Sequence, residues 1–318
     1  MQSRLYECYG YRISCTAPEE ADAVVTRLFG DPVPAAADPP ATAVRLSVSV
    51  TGSDAAPVAP PYFPSGWDVL DEVVIEVGSS RATVTPGNWT VRVELARSDL
   101  ANPIVWGRWL TEKALLILTL RSDRHYGLHA GALTVGGRSA LVTADSGVGK
   151  STFTAWGLFQ GAEFAGEDAI MRHLDQPGGL FWGYPRCAYL SAELVGTRPE
   201  LAGIPAAPVP ARDKYRVEWP DAFAHRLRPA VRPSTLLVLT REHTLTRPLG
   251  TDAAIDRCRD DFAAGKSDPE VLSRVERDLR RQLAGMAILE FGLSPDLDAN
   301  YRRLVSVLHD RPPQENRQ

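Results

Sequence analysis

Hydrophobic and polar positions change their spacing along the chain, and each change marks an element. Over residues 43–50, Val44, Leu46, Val48 and Val50 alternate with Arg45, Ser47 and Ser49, the period-two pattern of a strand with one buried face. Residues 73–77, 81–86 and 88–95 repeat that style around turns at Gly78-Ser79-Ser80 and Gly87-Asn88, which predicts a β-meander. Ahead of them, residues 9–14 read as a strand and 18–29 as a helix. The Pro/Ala-rich stretches 31–41 and 55–64 read as loops. The spacing then turns helical over 103–121, through Val105, Trp106, Leu110, Ala114, Leu115 and Leu118. That segment is expected to link two halves, with Trp106 and Trp109 as packing anchors. Further on, 139–143, 163–173, 179–183 and 235–240 read as strands. Residues 152–160, 253–264, 268–287 and 293–310 read as helices, and Pro269 after Ser267 suits a helix start. The expected organisation is a small β-rich α+β domain over 1–100, available for substrate docking, and an α/β domain over 101–318.

Composition narrows the class. A chain of 318 residues exceeds one ordinary small core, and 44% hydrophobic with 23% charged residues describes a globular protein. The net charge of −4 and the scattered arginines disfavour nucleic acid. Cys8, Cys15, Cys187 and Cys258 lack metal-ligand spacing. Cys8 and Cys15 can pair across a hairpin, but lone thiols are the better reading. The N-terminus has no charged-then-apolar signal and no segment reaches membrane-spanning length, so a cytoplasmic protein with no membrane partner is expected.

The chemistry concentrates in residues 141–152, Leu-Val-Thr-Ala-Asp-Ser-Gly-Val-Gly-Lys-Ser-Thr. An apolar strand ends there in a loop of the form [Ala/Gly]-x4-Gly-Lys-[Ser/Thr], from Ala144 to Ser151. Backbone N–H groups of Asp145, Ser146, Gly147, Val148, Gly149, Lys150 and Ser151 can wrap a phosphate, and Thr152 opens a helix whose positive end faces the same anion. Lys150 is expected on the β- and γ-phosphates of ATP or another phosphoryl donor, and the Ser151 hydroxyl on Mg2+. Glu167 and Asp168, adjacent carboxylates on the next strand, supply further metal ligands, and Asp168 a proton acceptor. His129, on the strand expected beside the loop strand, can bond a carboxylate and tune its basicity.

His129, the loop with its Asp145-Ser146-Gly147 core, and the pair Glu167-Asp168 together resemble the HPr kinase/phosphorylase superfamily. The resemblance covers roughly residues 125–245. It implies a P-loop kinase domain, distantly like phosphoenolpyruvate carboxykinase, that phosphorylates a hydroxyl with Asp168, His129 and Lys150 as its catalytic residues. Two departures stand out. Glu167 occupies a place where the family usually carries Asp, which makes Asp168 the safer catalytic carboxylate. The segment of Glu-Ile-Arg-Gly-Leu-Gly type, tied to phosphorylase activity, has no counterpart, and only Arg186 offers a basic residue in that region. Lys214 and Arg216 are candidates to meet the transferred phosphoryl group, with Arg241 a weaker one. The acceptor is open between Ser/Thr of a peptide or protein and a small-molecule alcohol. A non-catalytic nucleotide-binding switch or scaffold is the alternative from another class. The apolar last helices permit self-association, which is common in the family.

Overall fold

A computed structural model describes residues 3–33, 43–52, 67, 70–102, 104–176, 178–209 and 212–309. Most of the two Pro/Ala-rich stretches, and the end of the last expected helix, lie outside the described residues. The chain divides into two compact units, the first 1–123 with 207–213 and 264–269, the second the remainder. The boundary therefore falls after Asp123 rather than after residue 100. The helical segment is the reason: Ile104–Glu112, of π-helical form, and Lys113–Leu120 bury Trp106, Leu110 and Ile117 within the first unit.

The first unit holds a six-stranded sheet in the order Ser3–Cys8, Tyr11–Thr16, Val44–Thr51, Thr90–Ala96, Ser80–Thr85, Val73–Val77. Its central pairs, Tyr11–Thr16 with Val44–Thr51 and Val44–Thr51 with Thr90–Ala96, are parallel. Helix Asp22–Phe29 makes the first of these crossovers and buries Val24, Val25, Leu28 and Phe29. Parallel neighbours need such a crossover, and an alternating strand like Val44–Thr51 needs that apolar cover on one face only. The opening of the chain differs from expectation, because Tyr9 and Gly10 form the turn of a hairpin and are not strand. Cys8 and Cys15 are buried and form no disulfide with each other; Cys8 faces Tyr11 across the hairpin and Cys15 faces Arg4.

The second unit is layered α/β. Its main sheet runs Glu163–Gly166, Ala130–Val135, Arg138–Ala144, Pro233–Thr240, Ala287–Gly292, Thr246–Pro248. The three strands Arg138–Ala144, Pro233–Thr240 and Ala287–Gly292 are mutually parallel, and they are buried on both faces. Ala140 and Val142 pack under helices Lys150–Phe159 and Leu297–His309, with Phe153, Leu158, Leu304 and Leu308. Leu141 looks the other way, into a cluster with Ile255, Cys258, Val275 and Leu279 from helices Thr251–Ala263 and Pro269–Ala284. A continuous apolar run is what a doubly covered strand requires.

Two expectations for this unit are corrected. Residues 163–173 are not one strand but two, Glu163–Gly166 in the main sheet and Ile170–His173 in a four-stranded sheet with His125–Leu128 and Phe181–Trp182. The corner falls at Gly166, whose φ of +151° disfavours a side chain, and a Cβ there would lie 3.2 Å from the Tyr184 nitrogen. Glu167 and Asp168 thus occupy a bend between sheets. The helix expected over 268–287 ends at Ala284. Ala287–Gly292 instead fills a gap in the sheet between Pro233–Thr240 and Thr246–Pro248. Among the described residues no helix is long and apolar enough to cross a membrane.

Candidate functional site

The loop leaves the carboxyl end of Arg138–Ala144, where parallel sheets present their binding crevices. Its conformation rests on glycine: Gly147 and Gly149 take φ of +82° and +123°. Helix Lys150–Phe159 starts directly behind them, with Phe153 N–H bonded to the Gly149 carbonyl at 2.9 Å. No side chain caps that start, so the first-turn N–H groups have no acceptor of their own and can take an anion. The helix lies close on the sheet because Gly131 sits beneath it; a Cβ at Gly131 would come within 2.5 Å of Thr154 Cγ2.

The loop borders a cleft of about 630 Å³. Asp145, Ser146, Gly147, Gly149, Lys150, Ser151, Thr152 and His129 are among the residues that line it. Val148 is partly buried and packs against the apolar core instead. Lys150 is buried, and its ammonium donates to the Glu167 carbonyl and lies 3.8 Å from Glu167 Oε2. Glu167 is 2% exposed; its Oε1 accepts from the Tyr189 N–H at 2.8 Å, while Oε2 takes no hydrogen bond. A buried carboxylate oxygen without a donor is costly unless a cation faces it. In this structure that cation is Lys150.

Asp168 points the other way, to His129. Its Oδ1 lies 3.4 Å from His129 Nε2, and both side chains are partly exposed. His129 is held in turn by its backbone N–H, which donates to Asp261 Oδ2 at 2.9 Å. Burial pushes the Asp261 carboxyl above its ordinary value, and the His129 N–H opposes that rise. One turn earlier on the same helix, Arg257 pairs with Asp145 of the loop, and the pairing raises the Arg257 guanidinium above its usual value. Arg241 Nε donates to the Val148 carbonyl at 2.7 Å and lines the cleft.

The remaining expected contacts divide. Lys214 lines the cleft. Arg216 does not; it is buried beside Glu218, to which it is paired. Arg186 is exposed on the turn before strand Cys187–Ser191 and is not part of the cleft wall. Asp261, Arg257 and Tyr189 were not anticipated. Arg257 and Asp261 stand four apart on one helical face, the only signal available, and that spacing is ordinary for a solvated surface. Among the described residues no group of three or more His, Cys, Asp or Glu comes together as a metal cage. Mg2+ does not need one, since it keeps most of its waters and takes one or two protein ligands beside phosphates. Of the expected ligands, the Ser151 hydroxyl lines the cleft, whereas Glu167 is buried, outside the cleft wall, with its undonated Oε2 facing Lys150.

No protein-family model matches the chain, and no curated protein matches it in sequence. Among solved structures, the Hpr(Ser) kinase/phosphatase from Coxiella burnetii is similar over 57% of this chain and 92% of its own, at 12% identity and a TM-score of 0.30. A likeness of that size names neither the fold nor the activity of this chain. The described elements themselves make it a mixed α/β protein.

Proposed function

We propose that the chain is a kinase of HPr-kinase-like type, transferring the γ-phosphoryl group of Mg2+–ATP to a hydroxyl, with Ser/Thr of a peptide or protein as the preferred acceptor class. The observation that carries this reading is the His129–Asp168 pair standing beside a glycine-rich loop whose lysine and buried glutamate already face each other. A pure nucleotide-binding site has no use for the first half of that arrangement.

In this reading the loop amides and Lys150 hold the donor phosphates. Ser151 and Glu167 would hold Mg2+, which would neutralise phosphate charge. Asp168 takes the hydroxyl proton as the acceptor oxygen bonds to the γ-phosphorus and the bond to the bridging oxygen breaks. His129 orients Asp168 and stabilises its charge before transfer. Asp261 and Arg257, from one helix, fix His129 and Asp145. Positioning and charge neutralisation supply most of the barrier reduction in phosphoryl transfer, so a rigid constellation suffices. The 1–100 region serves acceptor docking in this proposal.

The test is transfer of γ-labelled phosphate from ATP, with Mg2+, to peptides and small alcohols, beside Lys150→Ala and Asp168→Asn. Label on a hydroxyl that disappears in both variants supports the kinase. ATP binding without transfer, indifferent to Asp168→Asn, means a nucleotide-responsive switch.

A further inference from the structure

His129 and Asp168 are brought together by two strand ladders. Each residue lies on a connection between the same two sheets of the second unit. His129 joins His125–Leu128 to Ala130–Val135, and Asp168 lies between Glu163–Gly166 and Ile170–His173. In the main sheet the nearest pair is Gly166 with Ala132, and in the smaller sheet it is Ile170 with Leu128. The smaller ladder has four pairs, Ile170–Leu128, Met171–Gly127, Arg172–Tyr126 and His173–His125, and His125–Leu128 is the edge strand of its sheet. Pairing on one side only, over so short a length, is weak by itself. We infer that His125 and His173, hydrogen-bonded to each other at the far end of this ladder, are positioning residues that hold His129 in register with Asp168. The inference rests on the kinase reading in taking His129 and Asp168 as the catalytic couple.

Three observations support it. First, the bond is buried and directional. His125 Nε2 and His173 Nδ1 lie 2.8 Å apart, both residues are buried, and the rings meet edge to face with centroids 3.9 Å apart. Whichever tautomers the rings hold, one of these nitrogens donates and the other accepts. Buried as they are, removing one leaves the other without water to replace it. Second, His173 is anchored from elsewhere. Its carbonyl accepts from Arg172 Nη1, while Arg172 Nη2 donates to the Gln176 carbonyl at 2.9 Å and Arg172 Nε lies 3.4 Å from Asp278 Oδ2. The Trp182 ring packs against the His173 ring at 6.1 Å. Through the His125–His173 bond the edge strand shares that anchorage. Third, the lever is short. Three strand steps, about 10 Å, separate the His173–His125 pair from Ile170–Leu128, the last pair before the catalytic couple. A splay at one end is therefore felt in the 3.4 Å separation of His129 Nε2 from Asp168 Oδ1 at the other. A misplacement of about 1 Å at reacting groups can cost roughly 10²-fold in rate.

The test uses amides as partial mimics of the two ring nitrogens. A glutamine amide reaches the place of Nε2 and an asparagine amide the place of Nδ1, and either can donate or accept. His125→Gln and His173→Asn therefore keep the bond, whereas His125→Asn and His173→Gln lose it, and at each position the two differ by one methylene. In labelled transfer from ATP, kcat is expected about tenfold lower or more in the bond-losing variants and within about threefold of the parent in the bond-keeping ones, with KM for ATP within about twofold in all four. Added to Asp168→Asn, His173→Gln should cost less than about twofold, because the couple it aligns is already broken. Losses that are absent from all four, equal for Gln and Asn at one position, confined to KM for ATP, or undiminished in Asp168→Asn would overturn the positioning role and leave the kinase standing. If the parent transfers no label, the kinase reading fails, and amide hydrogen exchange over residues 125–129 and 168–173 judges the geometry alone. Faster exchange in the bond-losing variants only supports the anchorage, and equal exchange in all four refutes it.

Discussion

Replacing Glu167 by glutamine removes one negative charge from a place where water cannot compensate for it. The Lys150 ammonium, 6% exposed, lies 3.8 Å from Glu167 Oε2. At an effective dielectric of about 20, two unit charges at that distance attract by about 4 kcal/mol. Breaking one side of a buried pair typically costs about 3–5 kcal/mol, in agreement. Glutamine keeps the acceptor that Tyr189 N–H uses at 2.8 Å, so the change isolates the charge. For a unit of this size each kcal/mol moves the melting temperature by about 2–4 °C, so Glu167→Gln is expected to melt roughly 8–16 °C lower. Lys150→Met should cost a similar amount, and the double variant less than the sum, because the second change removes the partner the first left unpaired. Pyrophosphate should narrow the deficit of Glu167→Gln, since phosphate oxygens then supply Lys150 with negative charge. Thermal melts with and without pyrophosphate, on the three variants, decide it. Additive losses, or a Glu167→Gln loss below about 1 kcal/mol, would refute the view that this pair is coupled in the ligand-free chain.

Other outcomes follow from other sites. Gly131→Ala places a methyl against Thr154, whose hydroxyl bonds the Lys150 carbonyl at 3.0 Å, so the loop helix must shift. A loss of about 1–3 kcal/mol in urea unfolding, with weaker ATP binding, is expected. Asp168→Asn should lower turnover by roughly 10²–10⁴-fold at saturating Mg2+–ATP while ATP affinity stays within about twofold, measured by labelled transfer and calorimetry. Lys266, whose ammonium donates to the Leu120 and Ser122 carbonyls, is pushed by burial down to about 8. Its folded-state pKa lies below the unfolded one, so the unfolded chain binds more protons between about pH 8 and 10.5. Its contribution therefore favours folding as pH rises through that window. Urea unfolding at pH 7.5 and 9.5 should show the parent gaining about 2 kcal/mol over Lys266→Met; equal pH dependence in the two proteins would contradict it.

Local patterning carried a large part of the fold. The meander over 73–95 and the strand–loop–helix around Lys150 fall within two or three residues of where alternation and glycine punctuation put them. What failed was decided by distant partners. Nothing local distinguishes Ala287-Ile-Leu-Glu-Phe-Gly from the end of a long helix until the gap beside Pro233–Thr240 is known. The break at Gly166 looks in sequence like a glycine within a strand, and only the close approach of Tyr184 makes it a corner. In the site, Lys150, Ser151, Asp168 and His129 were legible because the loop pattern and one acidic pair are compact. Asp261 and Arg257 were not. Their partners, His129 and Asp145, are more than a hundred residues away, and an amphipathic helix shows charges on its outer face whether or not they are used.

The division of the chain has a consequence for how the protein can be made and taken apart. The first unit is not finished when residue 123 is: it also takes residues 207–213 and 264–269, so the chain passes between the units five times. Lys266, which closes the end of helix Lys113–Leu120, lies in the last of these returns. During synthesis at about 5–20 residues per second, the stretch from Asp123 to Pro269 takes roughly 7–30 s, and for that time the first-made unit waits incomplete. The same threading means that no single cut separates the two halves. A gene fusion or truncation at residue 123 would carry off a sheet without the lysine that caps its helix.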